Sequence, residues 1–402
     1  MKYTKQEVMQ FIQEEDVKFI RLAFCDVFGK QKNISIMPGE LERAFTYGIA
    51  IDAWSIAGFD SDKRSDLFLH PDPATLAVLP WRPEHGRVVR MFCDIAWPDG
   101  KPFLGDARHL LQKAVQDAEN AGCRFQFGSE IEFYLFKRDE HGEPTKEPYD
   151  DAGYMDIAPE DKGENVRREI CLTLEQMGIY PESSHHEEGP GQNEIDFRYS
   201  DPLTAADNAV TFCSVVRTIA NRNGLVVDFS PKPLENKPGN GMHINFSVKS
   251  ETLSAPLVPA IAGVLRRISD MTVFLNPTEG AYARLGHNNA PHFVSWSAEN
   301  RSQLVRIPAA FGEFKRAELR SPDPTTNPYI AYALLIYAGL EGIQNDLTLP
   351  PVADMNLYTA DPELLRQFDR LPASLEQAKM AARNSEFIRE HLPATIRASY
   401  LK

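Results

Sequence analysis

The chain has 402 residues, 43% of them hydrophobic and 25% charged, and a formal net charge of −14 from 43 basic and 57 acidic side chains. That length exceeds one ordinary core and predicts two or three domains of an ordinary soluble protein. The acidic balance argues against a general nucleic-acid or anionic-membrane partner, since both need a basic surface.

In chain order, residues 1 to about 15 read as a short amphipathic helix. VKFIRLAFCDVFGKQKNISI, TLAVLPW and RVVRMFCDIAW then give short runs rich in β-branched and aromatic residues, broken by Gly, Pro and Asp. Residues 1–100 are expected to form a small, mainly β domain, with a boundary at WPDGKPFLGDAR and a second domain over 101–402. A helix is expected over ARHLLQKAVQDAENAG, stopped at Gly122, and a strand over CRFQFGSEIEFYLF. ENVRREICLTLEQMG reads as a helix, SSHHEEGPGQNE as a loop, and NEIDFRY as a strand. AADNAVTFCSVVRTIANRNG reads as a helix, GMHINFSV as a strand, and NPYIAYALLIYAGLEGI as a buried helix. Strands and helices do not alternate strictly, so the fold class expected is α+β. The longest apolar stretch, Tyr329 to Leu340, is far short of the roughly 20 residues that span a bilayer. The opening MKYTKQEVMQF lacks the apolar core of a signal peptide. The five cysteines are scattered and never spaced C-x-x-C, which fits a reducing cytoplasm.

The chemistry is written as polar residues two apart on strands, where i and i+2 share one face. Glu130 and Glu132 form one such pair, Glu194 and Asp196 a second, His243 and Asn245 a third, Glu318 and Arg320 a fourth. A half-exposed strand gives the same alternation, so one pair alone says little. Several carboxylates and one imidazole on neighbouring strands say more, because paired carboxylates repel unless a cation lies between them. Oxygen-rich sites of this kind suit Mg²⁺ or Mn²⁺ better than Zn²⁺. Glu187, in the SSHHEEGPGQNE segment, adds a further ligand, enough for two ions. There is no Walker A motif and no Gly-rich dinucleotide fingerprint, so a bound nucleotide would be held by metals and by the arginines Arg284, Arg301, Arg306, Arg316 and Arg320.

These segments, in this order, resemble the glutamine synthetase superfamily, prokaryotic type I branch. The likeness runs through IDAWSIAGF, FGSEIEFYLF, AGYMDIAPEDKGENVRREI, SSHHEEGPGQNEIDF, PKPLENKPGNGMHINFS, AYARL, ENRSQLVRIP and AELRSPDPTTNPYIAYALLIYAGLEGI, which cover nearly the whole chain. The resemblance implies an N-terminal β-grasp domain and a catalytic domain whose strands line a funnel-shaped site. It implies ATP, L-glutamate and ammonia or a small amine as substrates, with γ-glutamyl phosphate as intermediate. By position, Glu132, Glu187 and Glu194 match the ligands of one metal, and Glu130, His243 and Glu318 those of the second. Arg284 and Gly239 match the glutamate-binding positions, Arg301 and Arg320 the arginines that steady the phosphoryl group, and Asn245, Arg306 and Arg316 the nucleotide side. Tyr154, Ser55 and Asp52 match the ammonium pocket, with Asp52 as the group that helps deprotonate the amine; Asp52 and Ser55 come from a neighbouring subunit in the family. A homo-oligomer follows, two stacked hexameric rings in relatives.

The chain departs from the family in four places. Its flap reads RLGHNNAPHF, with Asn289 where the family carries a glutamate that helps deprotonate ammonium. An amide cannot act as a base, so Asp52 and Glu187 suffice, or His287 substitutes, or the nucleophile is an organic amine. Pro238 stands where an asparagine is usual, Trp54 replaces a small residue beside the amine pocket, and the C-terminal part is short for the branch. These departures keep two substrates open, ammonia and an organic amine. A non-catalytic scaffold is the third reading, and it would have lost metal ligands. Tyr358 is expected to be an ordinary surface or packing residue.

Overall fold

The computed structural model describes residues 3–59, 64–82, 85–309 and 315–402. The N-terminal part is a six-stranded sheet: β1 (Val17–Cys25), β2 (Gln31–Ile36), β3 (Ile49–Asp52), β4 (Asp66–Pro71), β5 (Ala77–Val78) and β6 (Arg87–Ala96), ordered β2-β1-β6-β4-β3 with β5 paired to β6. The hairpin between β1 and β2 turns at Asp26, whose carboxylate accepts from the N–H groups of Phe28 and Lys30 at 3.1 and 2.9 Å. Gly29 there has φ +80°, and a Cβ on it would lie 3.0 Å from the Asn327 backbone, so the turn needs glycine twice over. Helix α1 (Lys5–Glu14) starts in a capping box between Thr4 and Glu7 and buries Val8 and Ile12. Those side chains, Ile20, Leu22 and Phe24 of β1, and Leu41 and Ala44 of α2 (Leu41–Tyr47) form one small core.

The opposite face of β1 and β6 looks the other way. Ala23 and Phe92 belong to the large core of the second part. That part is a nine-stranded sheet of β7 (Cys123–Arg138), β8 (Pro144–Pro148), β9 (Pro181–His186), β10 (Gln192–Phe197), β11 (Val226–Asp228), β12 (Met242–Ser250), β13 (Trp296–Ser297), β14 (Val305–Arg306) and β15 (Ala317–Leu319). Its order is β13-β14-β15-β12-β7-β10-β9, with β8 and β11 also on β7. The helices are α3 (Ala107–Asn120), α4 (Glu164–Gln176), α5 (Pro202–Arg222), α6 (Leu257–Leu275), α7 (Glu279–Arg284) and α8 (Pro328–Gln344), followed by short C-terminal helices such as Leu375–Asn384. Helix α8 is apolar all round and buried almost throughout. Tyr332 on it stacks on Phe127 of β7 at 4.4 Å and bonds the Ser129 hydroxyl at 2.6 Å. Ile131, Phe133 and Leu135 of β7 enter this core, which leaves Glu130 and Glu132 on the other face.

Buried polar links lock the parts together, two of them through Asn327 and Arg108. Asn327 caps α8 through Oδ1 and donates from Nδ2 to the Val27 carbonyl at 3.0 Å. Arg108, 4% exposed, reaches Asp72 at 2.8 Å, Asp94 at 2.6 Å and Asp207 at 3.1 Å. The strand–helix mixture is the α+β class expected. Unexpected are β3, β4, α2 and the long α6, and β9 in place of the first half of a loop. Strand β9 is polar on both faces, so its composition carries no alternation to read.

Candidate active site

Antiparallel pairing fixes the site. Glu194 lies opposite Glu132 and Asp196 opposite Glu130 on β10 and β7; His243 lies opposite Glu130 on β12 and β7; Asn245 lies opposite Glu318 on β12 and β15. Side chains at directly paired positions stand on the same face. Four strands therefore bring residues up to 188 positions apart (Glu130 to Glu318) onto one surface. His243 Nδ1 sits 3.3 Å from Glu130 Oε2 and 3.6 Å from Glu318 Oε1. Asn245 donates to Glu130 at 2.7 Å and accepts from Arg316 at 2.9 Å.

The donor atoms form two close groups. Donor atoms of Glu130, Glu194 and His243 lie within 4.8 Å of one another, and so do those of His185, Glu187 and Glu194. Glu194 thus stands between both groups. Glu132 is turned to nearer donors, the Gly241 N–H at 2.7 Å and the Gln192 amide at 3.1 Å. Glu318 is held by Arg306 and Arg320. His185 was not singled out from sequence; it lies 3.2 Å from Glu194 and 3.6 Å from Glu187, and its ring meets Tyr154 edge-on at 5.4 Å. It sits on the polar strand β9, which hid it.

The electrostatics fit a cation. Burial, then the Glu132 charge, pushes Glu187 up to about 8. The same two causes raise Glu194 well above the carboxylate range, and burial with Glu130 raises Asp196 to about 7. Glu318 goes the other way: burial opposes it, but Arg320, His243 and Arg306 hold it down at about 2. Crowded carboxylates with raised pKa values and one imidazole are the donor set of a hard divalent ion. Behind them, a third group, Asp150, Asp161 and His186, is already saturated. His186 faces Asp150 at 2.9 Å and the Glu187 carbonyl at 2.7 Å, and Arg167 pairs with Asp161. This group braces the backbone that carries Glu187.

The arginines surround this face. Arg284, 3% exposed, donates to the Ser321 and Arg320 carbonyls at 2.8 and 3.3 Å. Its side chain lies against Gly239, where a Cβ would come within 2.9 Å of it and 2.3 Å of the Pro231 carbonyl. The neighbouring Pro238 carbonyl accepts from Tyr134 at 2.7 Å. Arg320 Nε is buried with no hydrogen-bond partner among the described residues. Arg301 is exposed, and its charge is felt at Glu187 and Tyr154. Asn289 donates to Glu188, and Tyr358 donates to the Ala290 carbonyl at 2.8 Å, so the latter is a packing residue under the flap. Asp52 and Ser55 sit apart, at the end of the edge strand β3, where Asp52 accepts from the Ser55 hydroxyl at 2.7 Å. Both are exposed, as is Trp54 at 60%.

This constellation has counterparts. A family model described as glutamine synthetase, catalytic domain, matches residues 104–402, and one described as glutamine synthetase, beta-Grasp domain, matches residues 16–98. The chain belongs to the glutamine synthetase family. It is 42% identical to the glutamine synthetase of Clostridium saccharobutylicum, over 100% of this chain and 94% of that one. It is 43% identical to the glutamine synthetase of Methanosarcina mazei, over 99% and 92%. Among solved structures, a GmaS/ADP complex superposes with a TM-score of 0.89 at 26% identity, covering 98% of this chain and 93% of that one. The Plasmodium falciparum glutamine synthetase shares the fold, with a TM-score of 0.88 at 21% identity over 99% and 94%. The chain is a mixed α and β member of this family, with its β-grasp domain first and its catalytic domain second.

Proposed function

We propose that this protein joins the γ-carboxylate of L-glutamate to ammonia, using ATP. The family is one of ligases that form a C–N bond at the expense of ATP and use divalent metals. The observation that carries the reading is the convergence of Glu130, Glu194 and His243 within 4.8 Å of one another, with Arg320 and Arg284 buried beside them. Glu130, Glu132, Glu187, Glu194, His243 and Glu318 are the residues that would hold Mg²⁺ or Mn²⁺, which neutralise charge spreading over the phosphoryl oxygens.

The chain's own groups do the positioning. Arg284, beside Gly239, takes the α-carboxylate of glutamate. Arg306, Arg316 and Asn245 orient the nucleotide phosphates. The γ-carboxylate oxygen attacks the terminal phosphorus, the bond to ADP breaks, and Arg301 and Arg320 offset the charge of the group in transit. Ammonia then attacks the acyl carbon of γ-glutamyl phosphate, phosphate leaves, and the proton goes to a carboxylate. Asp52 of a neighbouring copy, with Ser55, completes the pocket of Tyr154, Glu187 and Asn289. The exposed edge position of Asp52 supports a homo-oligomer, a dodecamer of two rings by analogy. No helix among the described residues is long and apolar enough to cross a membrane, and the free cysteines suit the cytoplasm.

An organic amine is the second reading, favoured by Asn289, an amide tied to Glu188, and by the exposed Trp54. Phosphate release from ATP with Mg²⁺ and glutamate, with ammonium or each of a panel of amines added, separates the two. Strong stimulation by millimolar ammonium supports the first reading. Stimulation by one organic amine with ammonium weak supports the second, and silence with every amine overturns both.

A further inference from the structure

A cavity of about 810 Å³ lies between the N-terminal sheet and the catalytic part, on the side of β7 and β12 away from the metal-competent face. Ile131 and Met242 line it, and these point opposite to their neighbours Glu130, Glu132 and His243. On the N-terminal side, Arg21 of β1 is directly paired with Arg90 of β6, so two guanidinium groups stand side by side on one face. Like charges at paired positions repel. Neither arginine has a hydrogen bond or ion pair among the described residues. Arg90 is only 6% exposed and has just the Phe92 ring, 4.0 Å from its guanidinium, for support. The Asp207 charge reaches Arg90, but its oxygens accept from Arg108 and Tyr329. A third cation, Arg217, lines the far wall over Phe229. The acid on that wall, Asp228, is paired with Lys146. Two more polar atoms in the lining, Thr278 Oγ1 and Gln31 Oε1, are buried without partners among the described residues.

A buried cation with unfilled donors is destabilising unless something answers it. Here the cations converge on one space whose remaining walls are apolar, among them Trp81 and Phe229. We propose that this cavity binds a small organic anion, a carboxylate or phosphate with an apolar body, held by Arg21 and Arg90. The anionic group takes the guanidinium donors, and the apolar body rests against Trp81, Phe229 and Met242.

The test uses the purified full-length protein with its active sites saturated by ADP and Mg²⁺, so that anion binding there does not count. Succinate and phenyl phosphate are titrated by calorimetry into wild type, Arg21→Gln and Arg90→Gln, and melting temperatures are read with and without each probe. Wild type is expected to bind at least one probe and to melt higher with it, and both variants to bind it more than tenfold more weakly. Carboxylate or phosphate chemistry is decided by which probe binds. Without any probe, Arg90→Gln is expected to melt no lower than wild type, because the burial of the charge it removes outweighs the pull of Asp207. Should Arg90→Gln fail to fold, the half-buried Arg21→Gln decides alone. Absence of binding by wild type at millimolar probe, or equal binding by the variants, overturns the proposal. Turnover is not measured, so the result stands apart from the proposed reaction.

Discussion

Asn289 donates from Nδ2 to Glu188 Oε1 at 2.9 Å, joining the flap to the loop that carries Glu187. Asn288 and Asn289 adopt φ of +45° and +66°, a left-handed pair that asparagine tolerates better than most side chains. Glu188 in turn is felt at both Glu187 and Tyr154. A glutamate at 289 would set its carboxylate against Glu188, whereas the amide makes a bond. Asn289→Ala removes one exposed bond, worth about 0.5–1.5 kcal/mol, so the apparent KM of the amine should rise about two- to tenfold. Asn289→Glu should do more, because repulsion replaces attraction. Water should then reach the acyl phosphate, and phosphate should form in excess of amide. Measuring both products settles it: a product ratio and KM unchanged in both variants would show that the link is incidental.

The raised carboxylates set a pH dependence. Glu187, at about 8, is protonated at neutral pH in the metal-free protein, and burial with the Glu132 charge raises Glu194 well above its ordinary range. A group raised on folding contributes stability that is full below its unfolded value, near 4.3, and is lost as pH rises through the folded value. Metal-free protein should therefore lose part of its thermal stability between about pH 5 and 8, and saturating Mg²⁺ or Mn²⁺ should abolish that loss. Cation binding must expel these protons, so affinity should climb with pH up to about 8. Calorimetry in buffers of different ionisation heats counts the protons released. No release at pH 7 would mean that the carboxylates are already ionised.

Arg108 is the joint whose loss should matter most for stability. It sits 4% exposed among Asp72, just after β4, Asp94 on β6, and Asp207 on α5. Arg108→Ala leaves Asp207 buried and uncompensated behind the more exposed Asp72 and Asp94, which costs about 3–5 kcal/mol. Arg108→Met should cost nearly as much, because its length replaces the packing but not the charge. A melting temperature within a degree or two of wild type would remove Arg108 from this role.

How much of this was legible beforehand depends on distance along the chain. Strand alternation placed Glu130 and Glu132 together, and likewise His243 and Asn245, because a period of two needs only local sequence. The chain's resemblance to the family supplied which strand residues meet at one site. What neither supplied came from long-range or unpatterned contacts. His185 lies on β9, polar on both faces, and read as loop. Helix α6 buries most of its residues and leaves Arg266, Arg267 and Asp270 on its outer side, a pattern not singled out from sequence. Asn289 and Glu188 are 101 residues apart, and Arg21 and Arg90 meet only because β1 and β6 run parallel as neighbours. Glu132 takes the Gly241 N–H and the Gln192 amide on Oε2 and leaves Oε1 4.0 Å from His243, a division that its place in the motif did not show.

Asn245 gives the sharpest test of the nucleotide side. It is 7% exposed and stands between two charges, donating to Glu130 at 2.7 Å and accepting from Arg316 at 2.9 Å. It therefore fixes a proposed metal ligand and a proposed phosphate ligand at once. Asn245→Leu has nearly the same volume but breaks both bonds; each involves an ionised partner, and losing one costs about 1.5–3 kcal/mol. If that loss falls on the transition state, kcat/KM for ATP should drop about ten- to a hundredfold. Asn245→Asp keeps the acceptor for Arg316 and sets a like charge against Glu130, so it should weaken cation binding more than Asn245→Leu does. KM for glutamate should move less in both, since Arg284 and Gly239 make neither contact. Steady-state kinetics with ATP, glutamate and Mg²⁺ varied in turn read all three. An ATP kcat/KM within twofold of wild type in Asn245→Leu would place Asn245 outside the nucleotide site.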